Sequence, residues 1–381
     1  MRFIHTSDWH LGKVLHQHSL LEDQQHALEQ LFQILVDQRP DALVIAGDVF
    51  DRSVPPADAV RVLDDFLARV SLDLALPVVM IAGNHDGAER LGFGARLMAE
   101  RRLCIAGPMR SELPTLTLHD AHGPVVFFPL PYADPAAIQL THPYDEPRTH
   151  QRATEALVAH ALQQKPAGAR SVCVAHAFVY GGSESESERP LTLGGTGLVD
   201  HTVFDGFDYV ALGHLHRPQS VGRAAVRYCG SLLKYSFSEL DHTKAVELVE
   251  LGADGSARCT ALPITPRRDL VRIEGTLHAL LTEPVAAARS AYVQVQLTDE
   301  GALLDPLAKL RTVYPYLMDL RRTFLSGSAS PVLPQRDAIR TGRVELFANF
   351  YRQVNAGELD PDQRAILASV FDTVLREEDP A

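Results

Sequence analysis

Short apolar runs in this chain repeatedly end on a small residue followed at once by a side chain able to bind metal. The runs are Phe3-Ile4-His5-Thr6-Ser7-Asp8, Leu43-Val44-Ile45-Ala46-Gly47-Asp48, Val78-Val79-Met80-Ile81-Ala82-Gly83-Asn84, Val172-Cys173-Val174-Ala175-His176 and Val210-Ala211-Leu212-Gly213-His214. Asp8 and His10 lie two apart just past the first run, so a carboxylate and an imidazole can enter one site. Asp48 has two oxygens and can bridge two metal ions at the ~3.5–4 Å separation of two-metal phosphoryl-transfer sites. Asn84 adds a neutral amide oxygen, and His176, His214 and His216 add nitrogens. Carboxylate, amide and imidazole donors without thiolate suit manganese, iron or zinc better than calcium, and differ from water-rich, all-oxygen magnesium sites. A single Asp or His after a strand is most often a turn or capping residue. With 17 histidines, several are incidental, His16, His18, His119, His122 and His142 among them. The ordered series of five motifs carries the reading.

Positioning these donors falls to the runs themselves. Rich in Val, Ile and Leu and bounded by Gly, they read as strands buried on both faces, and layered α/β folds gather ligands beyond their strand ends. Helical spacing fills residues 20–38, stopped by Arg39-Pro40-Asp41, then residues 57–70, 89–101 and 151–164. The expected fold is α/β, a two-layered β-sheet core flanked by helices. Residues 223–229, 244–251 and 257–263 alternate as strands, separated by turns such as Gly252-Ala253-Asp254-Gly255, and are expected to form the second layer.

A new pattern begins near Pro266, with strands over 269–274, 292–298 and 316–322 and helices over 277–281 and 305–313. Residues 325–334, containing Ser-Gly-Ser-Ala-Ser-Pro, read as a linker. Helices over 342–355 and 361–376 follow, with Gly357 suited to a helix stop and Asp360-Pro361 to a start. The expected organisation is a catalytic domain over 1–265, a small α/β capping domain over 266–330, and a linker with a helical pair over 331–381. The stripes Phe347, Phe350, Tyr351, Val354 and Ile366, Val370, Phe371, Val374 are too large for so short a segment to bury, which favours a partner groove.

The chain has 381 residues, 46% of them hydrophobic, enough for two or three domains with their own cores. No run reaches the roughly 20 apolar residues of a membrane helix, and the N-terminus enters a strand without a signal pattern. Cys104, Cys173, Cys229 and Cys259 are scattered and read as buried thiols of a reducing, cytoplasmic compartment. A net charge of −12 argues against gripping nucleic acid by bulk electrostatics. If DNA is the substrate, local patches, metals or a partner must supply the attraction.

The series D-x-H, G-D-x-x-D, G-N-H-D, a lone strand-end His and G-H-x-H resembles the calcineurin-like metallophosphoesterases over roughly the first 265 residues. The opening Met1 to Gly12, the segment Gly213-His214-Leu215-His216-Arg217-Pro218-Gln219 and the turn Tyr228-Cys229-Gly230-Ser231 resemble the SbcD family of bacterial nuclease subunits. Glu188-Arg189-Pro190-Leu191 with Gly194-Gly195-Thr196 resembles a loop of the same family. The resemblance implies one metal held by Asp8, His10, Asp48 and His216 and the other by Asp48, Asn84, His176 and His214. It implies His85 as general acid, with Asp51 orienting and charging it; Arg52 could touch phosphate. It further implies a manganese-dependent nuclease, 3′–5′ exonuclease on duplex and endonuclease on single strands. That nuclease would work as a homodimer with the SbcC ATPase, in a heterotetramer near the nucleoid, and would dock through the terminal helices. ATP would be used by SbcC, consistent with the lack of a G-x-x-x-x-G-K-[ST] loop here. Rival readings are a phosphatase or cyclic nucleotide phosphodiesterase of the same superfamily and a non-catalytic DNA-end scaffold. The run Ser183-Glu184-Ser185-Glu186-Ser187-Glu188 reads as a solvated acidic loop, and Trp9 as a packed wall.

Overall fold

A computed structural model describes residues 1–145, 147–188, 197–323, 344–345, 347–348, 351–352 and 358–378. The loop over 189–196, the linker, Phe350, Val354 and the side chain of Val374 lie outside the described residues. The chain forms two compact units, Met1–Leu270 and Val271–Ala381.

Apart from two short two-stranded pairs, Val14–Leu15 with His18–Ser19 and Phe178–Val179 with Leu198–Val199, the strands described in the first unit are β1 (Arg2–Thr6), β2 (Ala42–Ile45), β3 (Val78–Ile81), β4 (Leu103–Ala106), β5 (Leu116–Asp120), β6 (Gly123–Leu130), β7 (Arg170–His176), β8 (Tyr209–Gly213), β9 (Gln219–Val221), β10 (Arg223–Tyr228), β11 (Ala245–Leu251) and β12 (Ala257–Pro263). They make two six-stranded sheets, in the orders β12-β11-β1-β2-β3-β4 and β9-β10-β8-β7-β6-β5. β1, β2 and β3 run parallel, as do β6, β7, β8 and β10. Parallel pairing puts the C-terminal ends of all ligand-bearing strands of a sheet along one edge. The strands expected to form a second layer are in fact divided. β10 belongs to the second sheet, whereas β11 and β12 return to the first and pair antiparallel on the free edge of β1.

Apolar side chains from the two sheets meet between them, Phe3, Val44, Val79 and Ile81 on one side and Phe127, Val172, Val174 and Tyr209 on the other. Phe3 packs edge-on against both Phe127 and Tyr209 at 5.5 Å. The outer face of the second sheet is covered by the helix His150–Gln163 through Ala153, Leu157, Val158 and Ala161. The helices Leu21–Gln38 and Ala57–Ala68 match the sequence spacing closely. Residues 89–101 do not form one helix: two short pieces, Ala88–Leu91 and Ala95–Met98, are separated at Gly92 and Gly94, and Gly94 takes a left-handed φ of 73°. Glycine lowers the helical stability of this stretch, and the left-handed Gly94 redirects the chain just before the second piece.

The second unit contains β13 (Leu270–Gly275), β14 (Tyr292–Leu297) and β15 (Leu317–Arg322) in one sheet, with helices Leu277–Thr282 and Pro306–Arg311. Ile273, Leu277, Leu280, Val293, Val295, Leu310 and Leu317 make its core. The terminal helix Pro361–Glu378 starts at a reciprocal cap, in which Gln363 N donates to Asp360 Oδ1 at 2.8 Å and Asp360 N donates to Gln363 Oε1 at 3.1 Å. Phe347, Ile366 and Val370 are exposed. Among the described residues no helix is long and apolar enough to cross a membrane.

Candidate metal centre

The loops after β1, β2, β3 and β8 meet the last residue of β7 where the two sheets' C-terminal edges converge. Backbone bonds lace the first two loops together: Asp8 N donates to Gly47 O at 3.0 Å and His10 N to Asp48 O at 2.9 Å. Asp8, His10, Asp48 and His214 all adopt positive φ, 53°, 46°, 47° and 110°. Such conformations cost on the order of 1–3 kcal/mol each for a residue with a side chain and persist where surrounding structure over-determines them. Gly83 is required by close approach, because a Cβ there would collide with the Asp48 carboxylate.

Asp8, His10, Asp48, His176, His214 and His216 are all buried, and Asn84 is half-buried. His176 Nε2 lies 2.9 Å from Asn84 Oδ1 and 3.4 Å from Asp48 Oδ2, and His214 Nδ1 lies 3.3 Å from Asn84 Oδ1. On the other side His10 Nε2 is 3.1 Å from His216 Nε2 and 3.7 Å from Asp48 Oδ2. Donor atoms of Asp8, His10 and His216 form one cluster, and those of Asp8, Asp48 and His176 another. The structure thus brings together the seven side chains that the motifs single out, with Asp48 between the two groups.

These residues suit cations. His176 Nδ1 is held by the Ala46 carbonyl at 3.0 Å, so its proton sits there and the Nε2 lone pair faces Asn84 and Asp48. Two imidazole nitrogens facing each other at 3.1 Å, as in His10 and His216, repel unless a proton or a metal ion intervenes. In its own right the cluster draws in positive charge: burial disfavours it, yet the Asp48 carboxylate raises His176 to about 9. Burial likewise works to raise Asp48, but the imidazoles of His176, His10 and His85 hold it well below the carboxylate range. Asp8, by contrast, is raised by burial. His10 Nδ1 is buried without a hydrogen-bond partner.

His85 stands over this group, its ring edge-on to His10 at 4.7 Å and its Nε2 4.0 Å from Asp48 Oδ2. Its Nδ1 meets the main-chain carbonyl of Asp51 at 2.9 Å. The Asp51 carboxylate, expected to orient and charge His85, shares one cluster with donor atoms of His10 and His85. That carboxylate accepts from Lys13 Nζ at 2.9 Å and lies 3.6 Å from His10 Nδ1, and it is the Asp51 backbone that contacts His85. Arg52 is exposed, 3.9 Å from Asp51 Oδ2.

Supporting residues went unread in the sequence. The Asp86 carboxylate accepts from Gly83 N at 2.9 Å, Phe50 N at 2.8 Å and Val49 N at 3.1 Å, pinning the loop after β2 to the loop after β3. Burial, and after it the nearby Asp48 charge, pushes Asp86 up to about 7. Its signal was in plain view as the last letter of G-N-H-D. Gln24 supports the first loop, donating to His10 O at 2.7 Å and Trp9 O at 3.0 Å. Trp9 itself is fully buried, edge-on to Phe66. The acidic run over 183–188 is not simply solvated: Ser187 Oγ lies 2.7 Å from His216 Nδ1, and Glu188 Oε1 accepts from His216 N at 2.8 Å.

The seven convergent side chains, with donor atoms grouped closely enough to hold metal, form a candidate metal site at the converging ends of the two sheets. Residues 1–218 match the calcineurin-like phosphoesterase family, and residues 266–355 match the type 5 capsule protein repressor C-terminal domain. The chain is also 31% identical over 379 residues to the SbcD subunit of the SbcCD nuclease of Staphylococcus epidermidis, covering 99% of this chain and 100% of that protein. It belongs, within the calcineurin-like phosphoesterases, to the SbcD family. Among solved structures, a dimetal phosphatase from Danio rerio matches with TM-score 0.40 and 12% identity, over 70% of this chain and 99% of that one. A protein from Thermus thermophilus matches with TM-score 0.40 and 16% identity, over 68% of this chain and 98% of its own.

Proposed function

We propose that this chain is a manganese-dependent DNA nuclease, cutting duplex ends 3′ to 5′ and single strands internally, and working with the SbcC ATPase in DNA end processing. The single observation that carries the catalytic reading is the convergence of Asp8, His10 and His216 on one side of Asp48 and of Asn84, His176 and His214 on the other. Asp8, His10, Asp48 and His216 would hold one divalent ion, and Asp48, Asn84, His176 and His214 the second. When bound, two such ions lower the pKa of water and neutralise the charge of the scissile phosphate. Mixed oxygen and imidazole donors without sulfur favour manganese.

The remaining steps belong to the protein. With its Nδ1 proton committed to the Asp51 carbonyl, His85 can present Nε2 toward the substrate and, when protonated there, pass that proton to the departing 3′ oxygen. Lys13 neutralises Asp51, and Asp86 holds the His85 loop against the Asp48 loop. Arg52, on the exposed rim, is placed to meet a flanking phosphate.

Exposed Phe347, Ile366 and Val370, with Tyr351 and Phe371, offer an apolar surface for SbcC. Phe93 and Leu97, 82% and 77% exposed, support homodimerisation through the first hundred residues and hence a heterotetramer. A reducing, nucleoid-associated cytoplasmic setting fits four cysteines that are all free. Purified protein assayed with manganese and with magnesium on linear, hairpin and circular DNA tests the proposal. Metal-dependent cleavage is expected. Hydrolysis of p-nitrophenyl esters without cleavage of DNA would indicate a phosphatase instead.

A further inference from the structure

His216 is gripped at both its ring and its main chain, and the grip comes from the acidic serine-rich run. Ser187 Oγ donates to Glu239 Oε1 at 2.5 Å and is itself 2.7 Å from His216 Nδ1. Since the hydroxyl proton is committed to the carboxylate, the remaining contact has His216 Nδ1–H donating to Ser187 Oγ. The proton of the imidazole is thereby fixed on Nδ1, and the Nε2 lone pair is left facing His10. Glu239 is fully buried; its second oxygen accepts from Lys244 Nζ at 2.5 Å, while Oε1, besides taking the serine proton, accepts from Tyr235 N at 3.2 Å and lies 3.3 Å from His216 Nδ1 itself. Lys244 Nζ also donates to His216 O at 2.8 Å. Glu188 closes the arrangement, taking His216 N on Oε1 at 2.8 Å and Ser185 N on Oε2 at 2.5 Å.

Across the site the equivalent task is done differently. His176 Nδ1 is fixed by the Ala46 carbonyl, part of the backbone between the sheets. One side of the centre therefore has its histidine set by the fold itself. The other has it set by side chains of a loop, tied down through polar contacts such as Ser183 N to Gln219 Oε1 at 2.8 Å and Glu186 N to Ser238 Oγ at 3.0 Å.

We propose that Ser187 and Glu239 are positioning residues for His216, and that the 183–188 segment tunes the affinity of the Asp8/His10/His216 metal position separately from that of the Asn84/His176/His214 position. This rests on the metal centre proposed above. Residues that orient a ligating histidine typically contribute roughly 10–100-fold in metal affinity. Of the two contacts at His216 Nδ1, the Ser187 hydroxyl makes the shorter, 2.7 Å against 3.3 Å for Glu239 Oε1.

The test is calorimetric titration of Mn²⁺ into the metal-free full-length protein, with electron paramagnetic resonance reporting whether two ions sit together. For Ser187→Ala, one of two binding events is expected to weaken roughly 10–100-fold while the other keeps its affinity, and the spin-coupled pair signal should fade at limiting metal. Ser187→Thr, which retains a hydroxyl, should recover the wild-type isotherm. Glu239→Gln should weaken the same event, and Ser187→Ala remains decisive if burial makes that variant unstable. Equal affinities in Ser187→Ala and wild type, or equal weakening of both events, would overturn the inference while leaving the metal centre intact. A wild-type protein that binds fewer than two ions would overturn the centre itself and this inference with it.

Discussion

The Nε2 atoms of His10 and His216 stand 3.1 Å apart although 206 positions separate the residues in sequence. One follows β1 of the first sheet and the other β8 of the second, so the pair measures how accurately the two layers are docked. Neutral imidazoles held lone pair to lone pair would push the layers apart. A cation held by both rings would replace that repulsion with attraction, and metal binding should then raise the stability of the first unit as any ligand specific to the native state does.

Asp48→Ala should abolish nuclease activity and lower metal content more than the loss of any other donor. Its Oδ2 lies near His10 and His176 on both sides of the site, and its Oδ1 also accepts from His85 N at 2.8 Å. Elemental analysis of the folded variant decides the point, and two ions retained per chain would rule out a bridging role.

His85→Ala should separate chemistry from metal binding. A general acid contributes on the order of 10²–10⁴ in rate, so cleavage should fall by about that factor with both ions still bound. Loss of metal in the calorimeter would make His85 a ligand instead. Asp51→Asn, by contrast, should leave His85 in place, because its contact is with the Asp51 carbonyl.

Acid should loosen the far end of the sandwich through Asp120. Its carboxylate accepts from Arg170 at 2.5 and 3.0 Å and from the terminal amine of Met1 at 2.5 Å. The Arg170 guanidinium, with the terminal amine after it, holds Asp120 well below the usual carboxylate range. A carboxyl whose pKa is depressed in the folded state stabilises above its unfolded pKa and stops doing so as pH falls toward the folded value. Asp120→Asn should therefore cost about 1.5–3 kcal/mol at pH 7, seen as a lower urea midpoint. The gap from wild type should narrow as pH drops below about 4; a gap that stays constant would show that Asp120 acts by shape alone.

Removing residues 336–381 should spare manganese-dependent cleavage of simple single-stranded DNA and abolish stable association with SbcC. Phe347→Glu or Ile366→Glu should reproduce that loss, since a charge in an apolar groove is costly if unpaired. Co-purification reads the outcome. Normal complex formation by the truncated chain would place the docking surface elsewhere.

The strands that carry the candidate donors were legible because they are buried on both faces, and continuous apolar runs ending in a small residue encode that directly. The return of β11 and β12 to the first sheet was not, because which edge a strand joins depends on partners far away, and alternation in residues 244–263 says only that one face is buried. Gly92 and Gly94 could have predicted the break in residues 89–101, but the apolar spacing of Leu91, Leu97 and Met98 masked it. In the candidate site, the side chains that converge were readable from type and position. Their supports were not: Ser187 and Glu239 meet across 52 residues, and the part of Asp51 that contacts His85 is a carbonyl that every residue type possesses.

The positive φ angles at Asp8, His10, Asp48 and His214 set the interests of folding and of catalysis against each other. Glycine at any of these positions would relax the backbone and delete a donor in the same step, so a chain drifting without need of its chemistry would gain stability there first. Glycine at Asp8 or Asp48 would accordingly mark a relative that has kept the sandwich and given up the reaction, a distinction that overall identity would miss.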